Sequence, residues 1–489
     1  MSITRSERQG PAGPASPASP AAAPAGPAGS VDVTGLGDVL VPGDDGYAEA
    51  SGTLFAAGSP ALVARPRDER EVARAVVTAA RAGLTLSVRS GGHGALGHGT
   101  NDGGVVVDLR HLDSVEVVDP GRRVVRVGAG ATWGRVAAAL APHELGLTAG
   151  DTASVGVGGL TLGGGVGWMV RRHGLAIDSL VAARVVTADG RTLVASADRH
   201  AGLFWALRGG GGNFGVAVSF DFVAQRVGDV RFGSITYSPD DPARLVRGWR
   251  DVMRAADEEL SSTLLLVPAM FGRPAAATVL VCASHDDGAA ADRAIEPLRH
   301  LGTVTGTSVA TVPYADVLDE GGHPPGVRVV ARNVLVPALD DDAAADLAAA
   351  FAGGAGTPTV LAVRALGGAF SRILPDATAF AHRDAEALVV GGTIVPADAT
   401  DAAVEEALGG WRAVAAHGTG AYVNFQGSAT DADLRAAYPP ATLARLRAVK
   451  HAYDPRNLFD RNLNVAPGPS GTAGAEGTGR AARTDGPAS

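Results

Sequence analysis

The sequence predicts an α+β protein of two domains, and three observations carry that prediction. A strand–helix–strand unit lies near the start and ends in a turn of nearly bare glycine. Two further glycine clusters, at 150–167 and 209–215, fall in the same first half. From about Arg226 the long glycine clusters stop, and strands alternate with Ala/Asp/Arg-rich amphipathic helices, the pattern of an antiparallel sheet covered by helices. With 489 residues, 46% of them hydrophobic, the chain is long enough for two or three cores.

Residues 1–30 are Pro/Ala/Gly/Ser-rich without an apolar run, so they read as a disordered tail and not a signal peptide, and 467–489 has the same character. No segment approaches a clean membrane span, and a cytoplasmic location is the expectation. Pro42 to Gly46 form a turn. A strand at 61–64 leads through Pro66-Arg67-Asp68 into a helix over 69–82, whose Val72, Ala75, Val76 and Ala79 share one face. The strand at 84–88 enters the loop Arg89-Ser90-Gly91-Gly92-His93-Gly94, at the C-terminal end of a strand, where α/β folds tend to place ligands.

Short strands follow at 105–109, 115–118 and 124–127, and Gly128 to Thr132 open a helix over 133–140. After the densest glycine region, a strand at 179–187 turns at Asp189-Gly190 into its partner at 192–195. A helix around 203–207 ends in the third glycine cluster, followed by a strand at 216–223. Beyond it, strands at 233–237, 263–267, 278–284, 327–336 and 359–363 alternate with helices at 242–256, 288–301 and 341–351. A last helix at 443–451 is closed by a turn at 453–459.

A net charge of −9 with no basic run argues against a nucleic-acid or anionic-membrane partner. Cys282 is the single cysteine and sits in an apolar run, which excludes a disulfide framework and a thiolate metal cage and marks it as a small buried hydrophobe. No His-Glu-x-x-His or similar spacing occurs, so no metal is expected. Two stretches match Gly-x-Gly-x-x-Gly, at 92–97 and 210–215, but a dinucleotide Rossmann site needs strand, glycine turn, then helix. The first leads into more glycine and strand, and the second follows a helix, so both fail. A Walker loop is absent, the only lysine being the distant Lys450.

The three clusters nevertheless sit in one domain, each at a strand boundary. One large nucleotide pressed against several main-chain loops explains that placement, because glycines let backbone N–H groups converge on an anion. A cofactor that carries its own redox chemistry also explains why no hydrolytic triad stands out.

Four motifs then give the chain a resemblance to the berberine-bridge-enzyme-like FAD-linked oxidoreductases, with their vanillyl-alcohol-oxidase (PCMH) type of FAD domain. They are Arg89-Ser90-Gly91-Gly92-His93; Gly156-x-Gly158-Gly159-x-x-x-Gly163-Gly164-Gly165-x-Gly167; Trp205-x-x-Arg208-Gly209-Gly210-Gly211-Gly212-Asn213-Phe214-Gly215; and Tyr453-Asp454-Pro455-x-Asn457-x-Phe459. Tyr422-Val423-Asn424 matches a fifth segment, and the resemblance spans roughly 31–467. It implies an FAD-binding domain over 31–225, a substrate domain over 226–438 that roofs the flavin, and a return to the FAD-binding domain over 439–466.

The resemblance further implies FAD bound covalently through His93 to the flavin 8α carbon. Arg89 to Gly94 would wrap the pyrophosphate with backbone amides. Gly150, Thr152, Val155, Gly156, Gly158, Gly159 and Gly163 would run beside the cofactor, with Val218, Asn462 and Asn464 as further contacts. Thr152 stands where some members carry a second, cysteinyl bond, so a single attachment is expected. Leu160 replaces a histidine common in plant members. Val155 falls where the family gates oxygen, and a small valine there points to an oxidase that passes electrons to O2.

Hydride transfer from a substrate C–H needs a base for the O–H or N–H proton. Tyr422 is the candidate, its phenol lowered in pKa by the flavin and by Asn424. Gly391 and Gly392 stand where relatives place a glutamine or glutamate and a tyrosine, which implies a roomier pocket. His382 and Arg383 read as structural, Trp168 as a packed aromatic and His173 as a surface histidine. The expected reaction is oxidation of a small-molecule alcohol, sugar hemiacetal or amine, with hydrogen peroxide as co-product. A same-fold dehydrogenase or a flavin-fold binding protein are the alternatives.

Overall fold

The computed structural model describes residues 32–318, 327–353, 357–396 and 398–469, so both tails lie outside the described residues except for 467–469. The first sheet has four strands, β1 (Asp38–Leu40), β2 (Leu62–Arg65), β3 (Leu86–Arg89) and β4 (Val105–Asp108), in the order β1-β2-β4-β3, with β2, β4 and β3 parallel. Parallel neighbours need a crossover, and the helix Glu69–Ala82 supplies it. Asp68 caps its start by accepting from the N–H groups of Arg70 and Glu71, and Gly83, at φ 63°, ends it. Its buried face is the expected Val72, Ala75, Val76 and Ala79.

The second sheet is antiparallel. It contains β5 (Val115–Asp119) and β6 (Val124–Gly128); β7 (Leu145–Gly146) stands apart; and β8 (Leu180–Val186), β9 (Thr192–Ser196) and β10 (Val216–Val223) complete it in the order β5-β6-β10-β8-β9. A two-residue strand, β11 (Gln225–Arg226), pairs with β7.

The third sheet has seven antiparallel strands: β12 (Asp229–Tyr237), β13 (Leu260–Val267), β14 (Ala276–Ala283), β15 (Val304–Pro313), β16 (Val327–Val336), β17 (Thr359–Ala365) and β18 (Ala387–Pro396), ordered β15-β12-β14-β13-β17-β18-β16. Burial alternates along β17 and the second half of β18. Leu361, Val363 and Val395 pack into a core with residues of the helices Pro242–Ala255, Asp341–Ala352 and Gly409–Ala416. The intervening residues face the opposite way, toward the glycine loops of the first half.

The core under the first two sheets takes in Leu36 to Ala224 and then Ala379, Leu434, Tyr438, Leu446, Phe459 and Val465. The chain therefore rejoins this core from Leu434 onward, slightly before the expected start at 439. One ion pair and one hydrogen bond fasten the layers. Arg383, 1% exposed, bonds both oxygens of Asp178 at 2.8 Å. His382 Nε2 lies 3.0 Å from the Ala436 carbonyl. Both are structural, as expected.

Several short elements escape the sequence reading, among them the helices Asp401–Ala407, Gly409–Ala416 and Asp431–Ala437, and two others do so for a clear physical reason. The glycine region contains a helix, Val157–Gly163, where glycine's low helix propensity suggests only loop. The strand β15 is an edge strand, exposed along most of its length, so it has no buried alternation to read.

Lys450 has a role its sequence context does not disclose. It is fully buried, and its ammonium donates to the carbonyls of Asn213 (2.8 Å) and Phe459 (2.9 Å) and to Asp454 Oδ2 (2.7 Å). Asp454, equally buried, also accepts from the N–H groups of Leu458 and Phe459. One cation thus pins the third glycine turn to the closing turn. Removing it in Lys450→Ala leaves a buried carboxylate without its counter-charge, and a loss of about 3–5 kcal/mol is expected. Denaturant unfolding checks this, and a loss under about 1 kcal/mol, as for an ordinary surface substitution, would show that the pair is dispensable.

Candidate active site: a cleft between the glycine loops and the seven-stranded sheet

The loop after β3 meets the glycine region backbone to backbone. A Cβ at Gly91 would lie 2.3 Å from the Gly156 nitrogen, and one at Gly156 would lie 2.1 Å from Ser90 Oγ. Neither position has room for a side chain. Ser90 Oγ donates to the Ala129 carbonyl (2.6 Å) and accepts from the Gly158 N–H (3.3 Å), which ties the two loops to the end of β6. Gly92 sits at φ 73°, where an L side chain is strained. The Arg89 side chain does not reach a ligand. It is 4% exposed and donates to Asp108 (2.8 Å) and the Gly52 carbonyl (2.6 Å), so its contribution is to hold the loop's entry while its backbone lines the cleft.

These loops form the floor of a cleft of about 1040 Å³. Ser90 to Gly94, Gly150, Thr152, Val155, Gly156, Gly158 and Gly159 all line it, with Asn462 at one end. His93 stands among them half-buried, and burial holds its pKa below the ordinary imidazole value, so the ring is neutral at pH 7. The roof is the exposed face of β16, β17 and β18, through Val329, Ala331, Val360, Gly392 and Ile394.

Three expected residues sit elsewhere. Val218 belongs to the first core and offers only its carbonyl, which accepts from the Ala129 N–H at 3.0 Å; Val216 and Ala217 line the cleft in its place. Gly163 is one layer back, where a Cβ would fall 2.1 Å from Asn424 Oδ1. Asn464 is outside the cleft wall, where Asn462 and Leu463 stand.

Tyr422 and Asn424 face the cleft beneath the roof. The Tyr422 hydroxyl oxygen accepts from the Gly165 N–H (2.9 Å) and from Asn424 Nδ2 (2.7 Å), whose other hydrogen goes to the Leu160 carbonyl (3.0 Å). Asn333, on β16, clamps the tyrosine backbone from both sides: its Nδ2 donates to the Tyr422 carbonyl (3.0 Å) and its Oδ1 accepts the Tyr422 N–H (2.7 Å). Asn333 stands outside every motif, and its partner lies 89 positions away in the chain.

Comparisons with known proteins agree with this architecture. Residues 60–196 match a family model described as an FAD binding domain, and 421–466 match the berberine and berberine-like model. The (R)-6-hydroxynicotine oxidase of Paenarthrobacter nicotinovorans is 32% identical over 463 residues, covering 88% of this chain and 97% of that protein. The chain belongs to the berberine-bridge-like FAD-linked oxidoreductases. The crystal structure of 6-hydroxy-D-nicotine oxidase from Arthrobacter nicotinovorans superposes with a TM-score of 0.79 at 28% identity, covering 88% and 98% of the two chains. The xylooligosaccharide oxidase of Myceliophthora thermophila C1, in complex with xylobiose, follows at 0.78 and 26%, covering 89% and 98%.

As a member of this family the protein is an oxidoreductase with FAD as cofactor, and its own residues fit that group. His98 Nδ1 and Asn462 Oδ1 are buried with no hydrogen-bond partner among the described residues, and both residues line the cleft. Sequence reasoning passed over His98, which sits between Gly97 and Gly99 five residues after His93. The touching loops leave their backbone bare, and the cleft sits at the upper end of the range seen for ligand pockets.

Two expectations about ionisation need correction. The Tyr422 phenol is not lowered: burial pushes it up to about 12, against the opposing pull of the N–H groups of Gly165 and Val166, of Asn424 and of the Arg364 charge. His173, expected at the surface, is half-buried, with its pKa lowered to about 4 by burial and by Arg172. Trp168 is a packed aromatic against Phe232, at 5.2 Å between centroids, and Cys282 is fully buried. Gly391 and Gly392 separate. Gly391 faces the helices, where a Cβ would meet Trp411 at 2.5 Å, and only Gly392 opens onto the cleft. Away from the cleft, Asp257, Glu259 and His285 lie within 4.8 Å of one another, an association their sequence separation conceals.

Two outcomes follow from this geometry. Gly156→Ala forces the loops apart, and the purified variant is expected to hold far less FAD by absorbance than the wild type; full flavin content would show that the contact yields freely. Tyr422, with its folded pKa raised above the unfolded value of about 10, contributes stability that is complete below pH about 10 and is lost as pH rises through about 12. In an ultraviolet phenolate titration of the folded protein, the signal missing in Tyr422→Phe should lie above pH 11; a loss near pH 8 would contradict the burial effect.

Proposed function

We propose that this protein is an FAD-dependent oxidase with covalently bound flavin, which oxidises an alcohol, hemiacetal or amine C–H and passes the electrons to O2, giving H2O2. The observation that carries the reading is the sharing of one cleft by two groups from opposite ends of the chain: the neutral imidazole of His93 and the hydroxyl of Tyr422. FAD supplies the hydride acceptor. His93 is the tether, since a neutral imidazole carries the lone pair that attachment to the flavin 8α carbon requires.

Tyr422 handles the substrate proton. Its oxygen is engaged on the acceptor side by two N–H groups, which leaves the hydroxyl hydrogen to be directed elsewhere, and the residue lines the cleft. The same N–H groups stabilise the phenolate relative to the phenol, although burial still dominates. Asn333 and Asn424 are positioning residues that fix the ring and its hydroxyl. Arg364, paired with Asp151 and bonded to the Val166 carbonyl at 3.2 Å, holds the floor against the roof. Val155 lines the cleft and is small, which supports O2 as the acceptor.

Acid precipitation of the purified protein tests the tether. Yellow flavin is expected to stay in the pellet for the wild type and to leave it in His93→Ala; free flavin from the wild type would refute the link. Tyr422→Phe is expected to lower kcat by roughly 10²–10⁴-fold, the range for loss of a general acid–base group, in a peroxide-coupled assay with a turned-over substrate. An unchanged kcat would remove Tyr422 from the proton transfer.

A further inference from the structure

The seven-stranded sheet presents its face to the cleft through three strands whose register fixes which side chains point there. Val329 pairs with Ile394, Ala331 with Gly392, and Val360 with Gly392. Paired residues on neighbouring strands share a face, so these five positions form one continuous patch, and all are half-buried where they line the cleft. The patch is aliphatic throughout. Arg328, next along β16, is exposed and also lines the cleft, at the outer end of the strand, although its strand partner Val395 packs under the helices.

At the other end of the patch stand the Tyr422 hydroxyl and Gln426, both of which line the cleft. An amide that faces a cleft can meet a ligand's polar group through both its N–H and its carbonyl.

We infer that the substrate is an alcohol or amine with a single polar head on a hydrocarbon body: the head meets Gln426 and Tyr422, and the body lies on Val329, Ala331, Val360 and Ile394 and fills the space over Gly392. This rests on the oxidase reading above. An oligosaccharide carries hydroxyls along its whole length, and over the span between Gln426 and Arg328 the five aliphatic strand positions offer them neither hydrogen-bond partners nor an aromatic platform. Such a site rejects polar ligands because their groups are desolvated without compensation. Gly392 sets the depth. A Cβ there has only Val329 Cγ1 at 3.4 Å, an ordinary contact, so the position accepts a side chain and the empty space belongs to the ligand.

Binding to the flavin-loaded protein tests this without requiring turnover. Primary n-alkylamines and n-alkanols of increasing length, and xylo-oligosaccharides, are titrated while the flavin absorption spectrum is followed. Each added methylene is expected to tighten Kd by about fourfold, the value for burying one CH2 group, until the chain outgrows the roof. In Gly392→Leu the gain is expected to stop at a shorter chain, and a series that runs as long as in the wild type would overturn the assignment. A Kd that does not respond to chain length, or an oligosaccharide that binds more tightly than every alkyl ligand, would overturn the assignment. Peroxide is measured separately: its absence with ligands that follow the expected series would overturn the oxidase reading while leaving the ligand class standing.

Discussion

The contact between Gly91 and Gly156 is the constraint on which the site depends. Two loops from different sheets approach so closely that backbone meets backbone, and Ser90 then has the reach to bond both the Ala129 carbonyl and the Gly158 N–H. Strand order sets this up. β3 delivers its loop at the C-terminal edge of a parallel sheet, and β6 ends beside it in the antiparallel one. The floor of the cleft is thus made of main chain, whose positions are fixed by sheet hydrogen bonds and not by side-chain rotamers.

The roof is held to that floor by charge as well as by packing. Arg364 on β17 pairs with Asp151 of the glycine region, Arg383 pairs with Asp178, and Arg171 donates to the carbonyls of Leu366, Ala256 and Asp257. Guanidinium groups suit this task because their planar forks fix direction as well as distance. The consequence is felt at Tyr422, which reaches the floor through Gly165 and is gripped from the roof through Asn333. A slip between the layers would therefore move the hydroxyl that faces the substrate.

Much of this was legible in the sequence, and the reasons differ by residue. The helix Glu69–Ala82 and the strand β10 were readable to the residue because cap, periodicity and turn all agree. The glycine loops were readable as a nucleotide site because three clusters share one domain, and the family motifs then pointed to His93 and Tyr422. Asn333 was not readable, since its partner Tyr422 lies 89 positions away; Lys450 was not, because its burial and its bond to Asn213 depend on the whole fold, although Asp454 is only four residues on. The ionisation of Tyr422 was misjudged because a hydrogen bond from Asn424 is visible in a motif, whereas burial is a property of the whole fold. Val218 was misplaced for a local reason: the register of β10 is irregular between Ala217 and Ser219, and the cleft wall ends at Ala217.

The opposite facings of Gly391 and Gly392 have a consequence for substitution. One position is locked by the indole of Trp411, and a side chain there would disturb the helical layer that the sheet needs for folding. The adjacent position is free of that obligation. A substitution at 392 can reshape what the enzyme accepts at little cost to the fold, whereas one at 391 must also move Trp411. Two identical neighbours in the sequence therefore differ in the changes that they tolerate.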